Sequence, residues 1–589
     1  MVIKKGNTPP KLAPVMEEPA KKKPKFEGGD GSSNQDLEIL QENLLNECLC
    51  GISEANLRKS FRGMGADGED SGEYWTTAVA KWSRDRVLQF VSCIQLVCEI
   101  AIKQNSRGLL CSRIGDVCDV LVRNEEGLVD QLIELSSHHD PFICFAAGRA
   151  LSALFLLGKT NIDQLWLDRL TDNILYSTPN SMAFSLDAIK RVIEWKDEEE
   201  HPLEVRRPDD RPVANCQLIS ITDPDCTDSS PVKCLCIKAL ELKWPAIVTR
   251  FENLIASHDS KSEESTIVTF LDLWEAIISV KANLSVSDTK PFYSHLNQFL
   301  LILNSRVGPV IWKHTLSLFN EVLCYGSTLA LQDILAEEPC GLAHLIVRSI
   351  KDWRLLESLP YRGGSGRFGG GSGDGNKPLL QKMVLLVLKA VAVTVKETRC
   401  ESSSDSSLGS EAEDADADMA VIERSIKEVL RQLDNCVKTL LPFHPETPLA
   451  QWVVHLFSDQ DDALVEGMVC CLDVATGLCY RPGASLDLRH SLSPSVTFVQ
   501  FLRTVSHDPD VLLDLLISNE TCFLLYLLRL LKFVRHNRSD FIMQCGFDVD
   551  STMKVFKDLR SAIERLVAKD LFPYNINPVL RLLQQCEQV

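Results

Sequence analysis

The amino-acid sequence predicts an all-α protein, and three observations carry that reading. Leucine-rich apolar residues recur three and four apart along most of the 589 residues, whereas the alternating Val, Ile, Thr and aromatic pattern of strands is rare. Gly, Pro, Asp and Ser gather in a few breaks between these periodic stretches. Hydrophobic residues make up 45% of the chain, enough to build several conventional cores or one elongated helical array.

A recurring local pattern favours the array. A polar break at Asp140 and Pro141 precedes a helix with a small-residue stripe at Ala146, Ala147 and Ala150, followed by Leu151 and Leu154. Asp461 and Asp462 introduce a similar stretch through Leu464, Val465, Gly467, Met468, Cys471 and Leu472, and Arg306 to Leu323 repeats the idea more loosely. Small residues let helices approach closely, so each unit buries its apolar face only by stacking on its neighbours. No strict period of roughly 34 to 47 residues is present, so the expectation is a degenerate HEAT/armadillo-like α-solenoid or elongated helical array, with an irregular helical bundle as its alternative.

In chain order, residues 1–33 are Pro-, Lys-, Gly- and Ser-rich with little apolar content, and cannot repay the entropy of ordering; they are expected to be a disordered basic tail. Helical patterning begins at Leu37, Leu40, Leu44, Cys48 and Leu49, breaks from Gly63 to Gly72, and resumes with Val87, Leu88, Val91, Ile94, Val97 and Ala101, giving an N-terminal helical region over 34–196. Residues 197–232 turn to charge, Pro, Asp and Ser and read as a linker or long loop. Helical repeats are expected over 233–359, a Gly-rich loop over 360–377, one helix over 378–398, an acidic Ser-rich loop over 399–418, further helical repeats over 419–550 and a C-terminal cap over 551–589.

The net charge of −19 is unevenly spread. The first 25 residues hold seven lysines against Glu17 and Glu18, a net +5, and Glu401 to Asp418 holds seven acids and no base, leaving −17 on the body. An acidic body repels a phosphate backbone, so no direct nucleic-acid binding is expected. The 21 cysteines lie mostly in apolar helical stretches, with no Lys- and Pro-free apolar leader before them, which points to buried free thiols in a reducing, intracellular setting. The most apolar run, Leu379 to Val395, is interrupted by Lys382 and Lys389 and reads as too short for a membrane span.

Motifs of chemistry fail on context. Ala153 to Thr160 ends like a phosphate-binding loop in Gly158, Lys159 and Thr160, but has Ala where the first glycine belongs and bulky apolar residues between, so it reads as a helix stopped at Gly158. Gly63, Gly65 and Gly68 have dinucleotide-motif spacing with no strand before them and acids after, and read as a loop. Cys216, Cys226, Cys234 and Cys236 lack the paired C-x2-C knuckles of a zinc site and read as free thiols. Neither G-x-S-x-G nor H-E-x-x-H occurs. No catalytic, cofactor-binding or metal-binding residue is therefore assigned. The L-x-x-L-L spacings at Leu512 to Leu516 and Leu527 to Leu531 have the form of a docking helix, but leucine-rich core helices produce the same spacing.

Two features mark regulation. Lys21, Lys22, Lys23 and Lys25, set between Pro19 and Pro24, form a compact basic cluster that an import receptor can grip in extended conformation, a nuclear localisation signal. Ser402 and Ser410 each carry an acid three residues on, Asp405 and Glu413, the pattern of an acidophilic kinase site.

Family resemblance is strongest near the end of the chain. Asp508-Pro509-Asp510-Val511-Leu512-Leu513-Asp514, Leu516-Ile517-Ser518, Glu520-Thr521-Cys522-Phe523-Leu524 and Leu531-Lys532 resemble the Lines family. So do Leu559-Arg560, Ala562-Ile563, Leu566, Leu571-Phe572-Pro573-Tyr574-Asn575, Pro578 and Leu580 to Leu583. The resemblance implies a non-enzymatic helical-repeat regulator of animal development, acting in nucleus and cytoplasm and linked to Wnt-type (Wingless) signalling and patterning. It also implies protein partners, among them odd-skipped-type zinc-finger transcription regulators. The residues alone leave open a general cytoplasmic adaptor or transport-receptor-like solenoid.

Deleting Lys21 to Lys25 is expected to abolish nuclear accumulation of a fluorescent fusion; unchanged accumulation contradicts the assignment. Mass spectrometry of protein from cells is expected to find phosphate on Ser402 and Ser410, and both unmodified would remove that reading.

Overall fold

The computed structural model describes residues 35–61, 79, 82–124, 127–197, 216–221, 228–257, 261–280, 286–361, 377–404, 412–479 and 486–587. Most of these lie in helices. The starts of the helices follow from a repeated chemistry. Asp140, Asp163 and Asp508 each accept a hydrogen bond at 2.9 Å from the amide two residues on, Phe142, Leu165 and Asp510, and Ser493 caps Val496 at 3.2 Å. Pro141, Pro494 and Pro509 open the first turn, where a missing N–H costs nothing and the fixed φ suits the helix.

The helices form one continuous row of packed neighbours. The Arg84–Ser106 helix packs on Pro141–Gly158, which packs on Pro179–Glu194, then Lys261–Ile278, Pro309–Val322, Lys377–Ser404, Asp461–Val474, Phe523–His536 and finally Asn577–Glu587. A single hydrophobic cluster runs from Leu37 to Cys586 without division into separate cores. The expected all-α helical array is what the chain forms. Within the row, Trp244, Phe270, Trp274, Phe292 and Phe299 make an aromatic nest, with Trp244 and Trp274 edge to face at 5.1 Å and the Trp274 indole N–H donating to the Phe292 carbonyl at 2.7 Å.

The Lys377–Ser404 helix occupies the middle of the row and is covered by Pro309–Val322, Glu337–Trp353, Ala412–Leu440 and Asp461–Val474. Its residues from Leu379 to Val395 are buried except for the half-buried Lys382, as expected of a helix apolar nearly all round. Among the described residues, three helical stretches could cross a membrane by length and composition, Arg84–Ser106, Pro141–Asn161 and Lys377–Arg399. The last of these corrects the expectation of a run too short to span. Burial of 89% of its apolar window inside the protein supplies a different reason for that composition.

Several boundaries differ from the sequence reading. The helix expected over 378–398 continues to Ser404, and the next begins at Ala412, so helices extend into the acidic loop placed at 399–418. The expected linker over 197–232 contains a strand and the start of the Ser230–Glu241 helix. That strand, β2 (Leu218–Ser220), pairs antiparallel with β1 (Leu109–Cys111) in the register Leu109 to Ser220, Leu110 to Ile219 and Cys111 to Leu218. The Pro141 helix ends at Gly158 as expected, but the positive φ, 49°, falls on Lys159. The basic tail, the Gly63 to Gly68 loop and the Gly-rich segment after Tyr361 lie outside the described residues.

Both L-x-x-L-L spacings belong to the core. Leu512 and Leu516 of the Pro509–Ile517 helix, and Leu527, Leu530 and Leu531 of the Phe523–His536 helix, are buried. The chain then breaks around Pro573 and ends in the Asn577–Glu587 helix. The Tyr574 hydroxyl donates to the Leu516 carbonyl, and Arg560 holds both carboxylate oxygens of Glu587 at 2.8 Å, fastening this last helix to Val549–Val567.

Candidate functional site

Ionisable side chains from four elements meet inside the second half of the row. Glu466 and Asp473 lie two turns apart on the Asp461–Val474 helix and so share a face. Lys389, on the central helix and only 4% exposed, reaches Glu466 at 2.7 Å and donates to the Asn320 carbonyl at 3.0 Å. The other Glu466 oxygen accepts the Gly326 amide at 2.9 Å. Two turns along, the Tyr325 hydroxyl donates to Asp473 at 2.9 Å, and Arg529 pairs with the same oxygen while giving its second nitrogen to the Ala330 carbonyl at 2.7 Å. Lys396 donates to the carbonyls of Leu329 and Ala330, both at 2.8 Å.

These charges grip the Tyr325–Leu329 segment, which is wound as a π-helix and so leaves carbonyls turned out of the ordinary ladder. Gly326 permits the approach: a Cβ there would stand 2.5 Å from the Cys522 sulfur. Burial pushes the Asp473 carboxyl above its ordinary range, against the opposing pull of Arg529 and Tyr325. Burial likewise pushes the Tyr325 phenol well up, so it stays protonated and donates. The Cys522 thiol is raised to about 12 by burial, far from the thiolate that nucleophilic chemistry needs. Perturbed groups of this kind mark active sites when they face a cleft. Here each is spent on its neighbour, and the arrangement binds helices together.

A second cluster lies near the start of the row. Cys48 and Cys50 sit in the turn between the Gln35–Leu45 and Glu54–Phe61 helices, Cys111 ends β1 and caps the Ser112–Arg123 helix, and Cys216 precedes β2. Their four sulfurs all lie within 4.8 Å of one another, a donor set able to hold a metal ion. The spacing of Cys216, Cys226, Cys234 and Cys236 predicts free thiols. The fold instead joins Cys216 to three cysteines distant in sequence, while Cys236 is buried within the Ser230–Glu241 helix and Cys226 lies outside the described residues.

Of the residues singled out as sites, Lys21, Lys22, Lys23, Lys25 and Ser410 lie outside the described residues. Ser402 falls in the last turn of the Lys377–Ser404 helix. Sequence reasoning did not reach Glu466, Asp473 or Arg529. Its one usable signal was Lys389, a lysine in the middle of the most apolar run of the chain.

Comparison with known proteins places these features in a family context. The family model described as Lines N-terminus matches residues 217–545, and that described as Lines C-terminus matches residues 552–588. The chain is 38% identical over 685 aligned positions to Protein lines of Drosophila melanogaster, covering 95% of this chain and 80% of that protein. It is 24% identical over 321 positions to Protein Lines homolog 1 of Homo sapiens, covering 50% of this chain and 41% of the human protein. With the mouse Protein Lines homolog 1 the identity is 33% over 115 positions, 18% of this chain and 15% of that protein.

The ionic junction falls inside the larger matched region and yields a direct test. Lys389→Met leaves Glu466 buried without its cation and is expected to lower the unfolding free energy by about 3–5 kcal/mol, whereas adding Glu466→Gln is expected to recover much of that loss. Denaturant unfolding of both variants checks the order; a double variant no more stable than the single one contradicts it.

Proposed function

The chain belongs to the Lines family, and on that premise we propose that it is a non-enzymatic helical-repeat scaffold that regulates developmental signalling of the Wnt (Wingless) type and transcription through protein partners. The observation that supports a scaffold is the unbroken row of packed helices, which presents an extended surface and spends its buried ionisable groups on holding helices together. Exposed aromatic and sulfur side chains stand on that surface, among them Phe142 and Phe145 at one end and Met543 and Phe547 at the other.

The partners in this reading are transcription regulators, with odd-skipped-type zinc-finger proteins the kind that the family resemblance implies, and an import receptor gripping Lys21, Lys22, Lys23 and Lys25. The protein then works in both nucleus and cytoplasm. Its acidic chain, at −19 overall, acts on DNA only through such partners. Phosphate on Ser402 or Ser410 would deepen the negative charge between the Lys377–Ser404 and Ala412–Leu440 helices.

Purified full-length chain is expected to co-elute with an odd-skipped-type zinc-finger protein, and its depletion to change a Wnt-responsive transcriptional reporter. No co-elution and an unchanged reporter, with nuclear-pore, phosphatase or ubiquitin-ligase subunits recovered from cells instead, would replace this reading by that of a general adaptor.

A further inference from the structure

We propose that Cys48, Cys50, Cys111 and Cys216 bind one zinc ion as a tetrahedral thiolate site that pins the first helices of the row to the β1–β2 ribbon. The inference stands apart from the scaffold reading and rests on the cluster itself.

Geometry comes first. A tetrahedral zinc with Zn–S bonds of about 2.3 Å sets its sulfurs about 3.8 Å apart. The Cys50 and Cys111 sulfurs are 3.6 Å apart, and all four fall within 4.8 Å of one another. Closing on the metal therefore needs sulfur movements of about 1 Å or less, within reach of side-chain rotation. An iron–sulfur cluster, with its ligands spread around a cage of several irons, needs wider separations than this. Four thiolates with no carboxylate or imidazole select zinc among the common divalent ions.

The backbone around the sulfurs is also arranged for a metal. The Cys50 amide donates to the Cys48 sulfur at 3.5 Å, and the Gln217 amide donates to the Cys50 sulfur at 3.4 Å. Such N–H groups stabilise the charge of metal-bound thiolates and fix their orientation. Cys48 and Cys111 are buried and Cys50 and Cys216 half-buried, which leaves a side from which an ion can enter.

An independent observation concerns the ribbon. Each strand has only three residues, and β2 is exposed along its whole length. A two-stranded pairing of this size is marginal in water without further support. Yet its register is fully formed and continues beyond the strands, with Ile221 donating to Gly108 at 3.0 Å and Ser112 to Gln217 at 2.8 Å. One ligand lies at the end of β1 and another two residues before β2, so a metal there anchors the pairing at its edge. It joins segments that the chain keeps far apart, Cys111 lying 61 positions after Cys50 and Cys216 more than a hundred after Cys111. The site precedes Gln217, where the Lines N-terminus match begins, and ties the preceding helices to it.

The test uses the full-length chain purified under reducing conditions without chelator. Elemental analysis is expected to find about one zinc per chain. Replacement by cobalt is expected to give the thiolate-to-cobalt charge-transfer bands and the intense visible bands of tetrahedral sulfur ligation. Cys50→Ser and Cys216→Ser are expected to lower metal content at least about tenfold, with helicity retained by circular dichroism, whereas Cys436→Ser, outside the cluster, keeps it. The wild-type measurement decides even where a variant fails to fold. Zinc-supplied wild-type protein without bound metal or cobalt–thiolate bands would overturn the site, as would a Cys50–Cys111 disulfide in the native protein, or full zinc content in both variants.

Discussion

The architecture depends on hiding the middle of one long helix. From Leu379 to Val395 the central helix is apolar on nearly all faces, and it is stable only because four other helices cover it. Its buried polar residues set the terms of that covering. Gln381 binds the Leu456 carbonyl at 2.8 Å and Asp459 at 2.7 Å, and Lys389 needs both Glu466 and the Asn320 carbonyl. Because an unpaired charge in such a place costs several kcal/mol, these contacts select one register for the neighbouring helices where leucine packing alone would tolerate several.

From that centre the row extends both ways by ordinary means. Asp and Ser caps followed by proline start many helices sharply, so successive helices turn back on one another across short breaks. The Tyr325–Leu329 π-turn is the exception: its displaced carbonyls are met by Arg529 and Lys396, and its glycine lets Cys522 close in. At the chain's end the Arg560–Glu587 pair and the Tyr574 hydroxyl do by polar contacts what a stacked neighbour does elsewhere. At the start, four thiols occupy the corresponding place.

Much of this was legible in the sequence, for reasons that can be stated residue by residue. Helical period, caps and breaks are local properties, so the helix starting at Pro141 and its end at Gly158 could be read directly. The residues of the L-x-x-L-L spacings were open to two meanings, and burial of Leu512, Leu516, Leu527, Leu530 and Leu531 assigns them to the core. What stayed hidden is what depends on contacts between distant segments. Nothing near Glu466 or Arg529 shows that each has a buried partner on another helix. The C-x-C of Cys48 and Cys50 is uninformative until the ribbon brings Cys111 and Cys216 to it, and the ribbon's three-residue strands are too short to leave an alternating pattern. Family resemblance was carried by the last ninety residues because their Pro, Asp and aromatic punctuation is distinctive, whereas leucine-rich helices elsewhere are generic.

In a row of helices organised about one buried member, the interior holds the register and the outer faces are relieved of that task. The central claim is that the Lys377–Ser404 helix is the most protected element of the chain. Amide hydrogen exchange followed by mass spectrometry measures this directly. The account predicts that peptides from 379–395 exchange most slowly of all, and far more slowly than those of the Arg538–Cys545 helix, which exposes Ile542 and Met543. Exchange in 379–395 as fast as in that helix would contradict it.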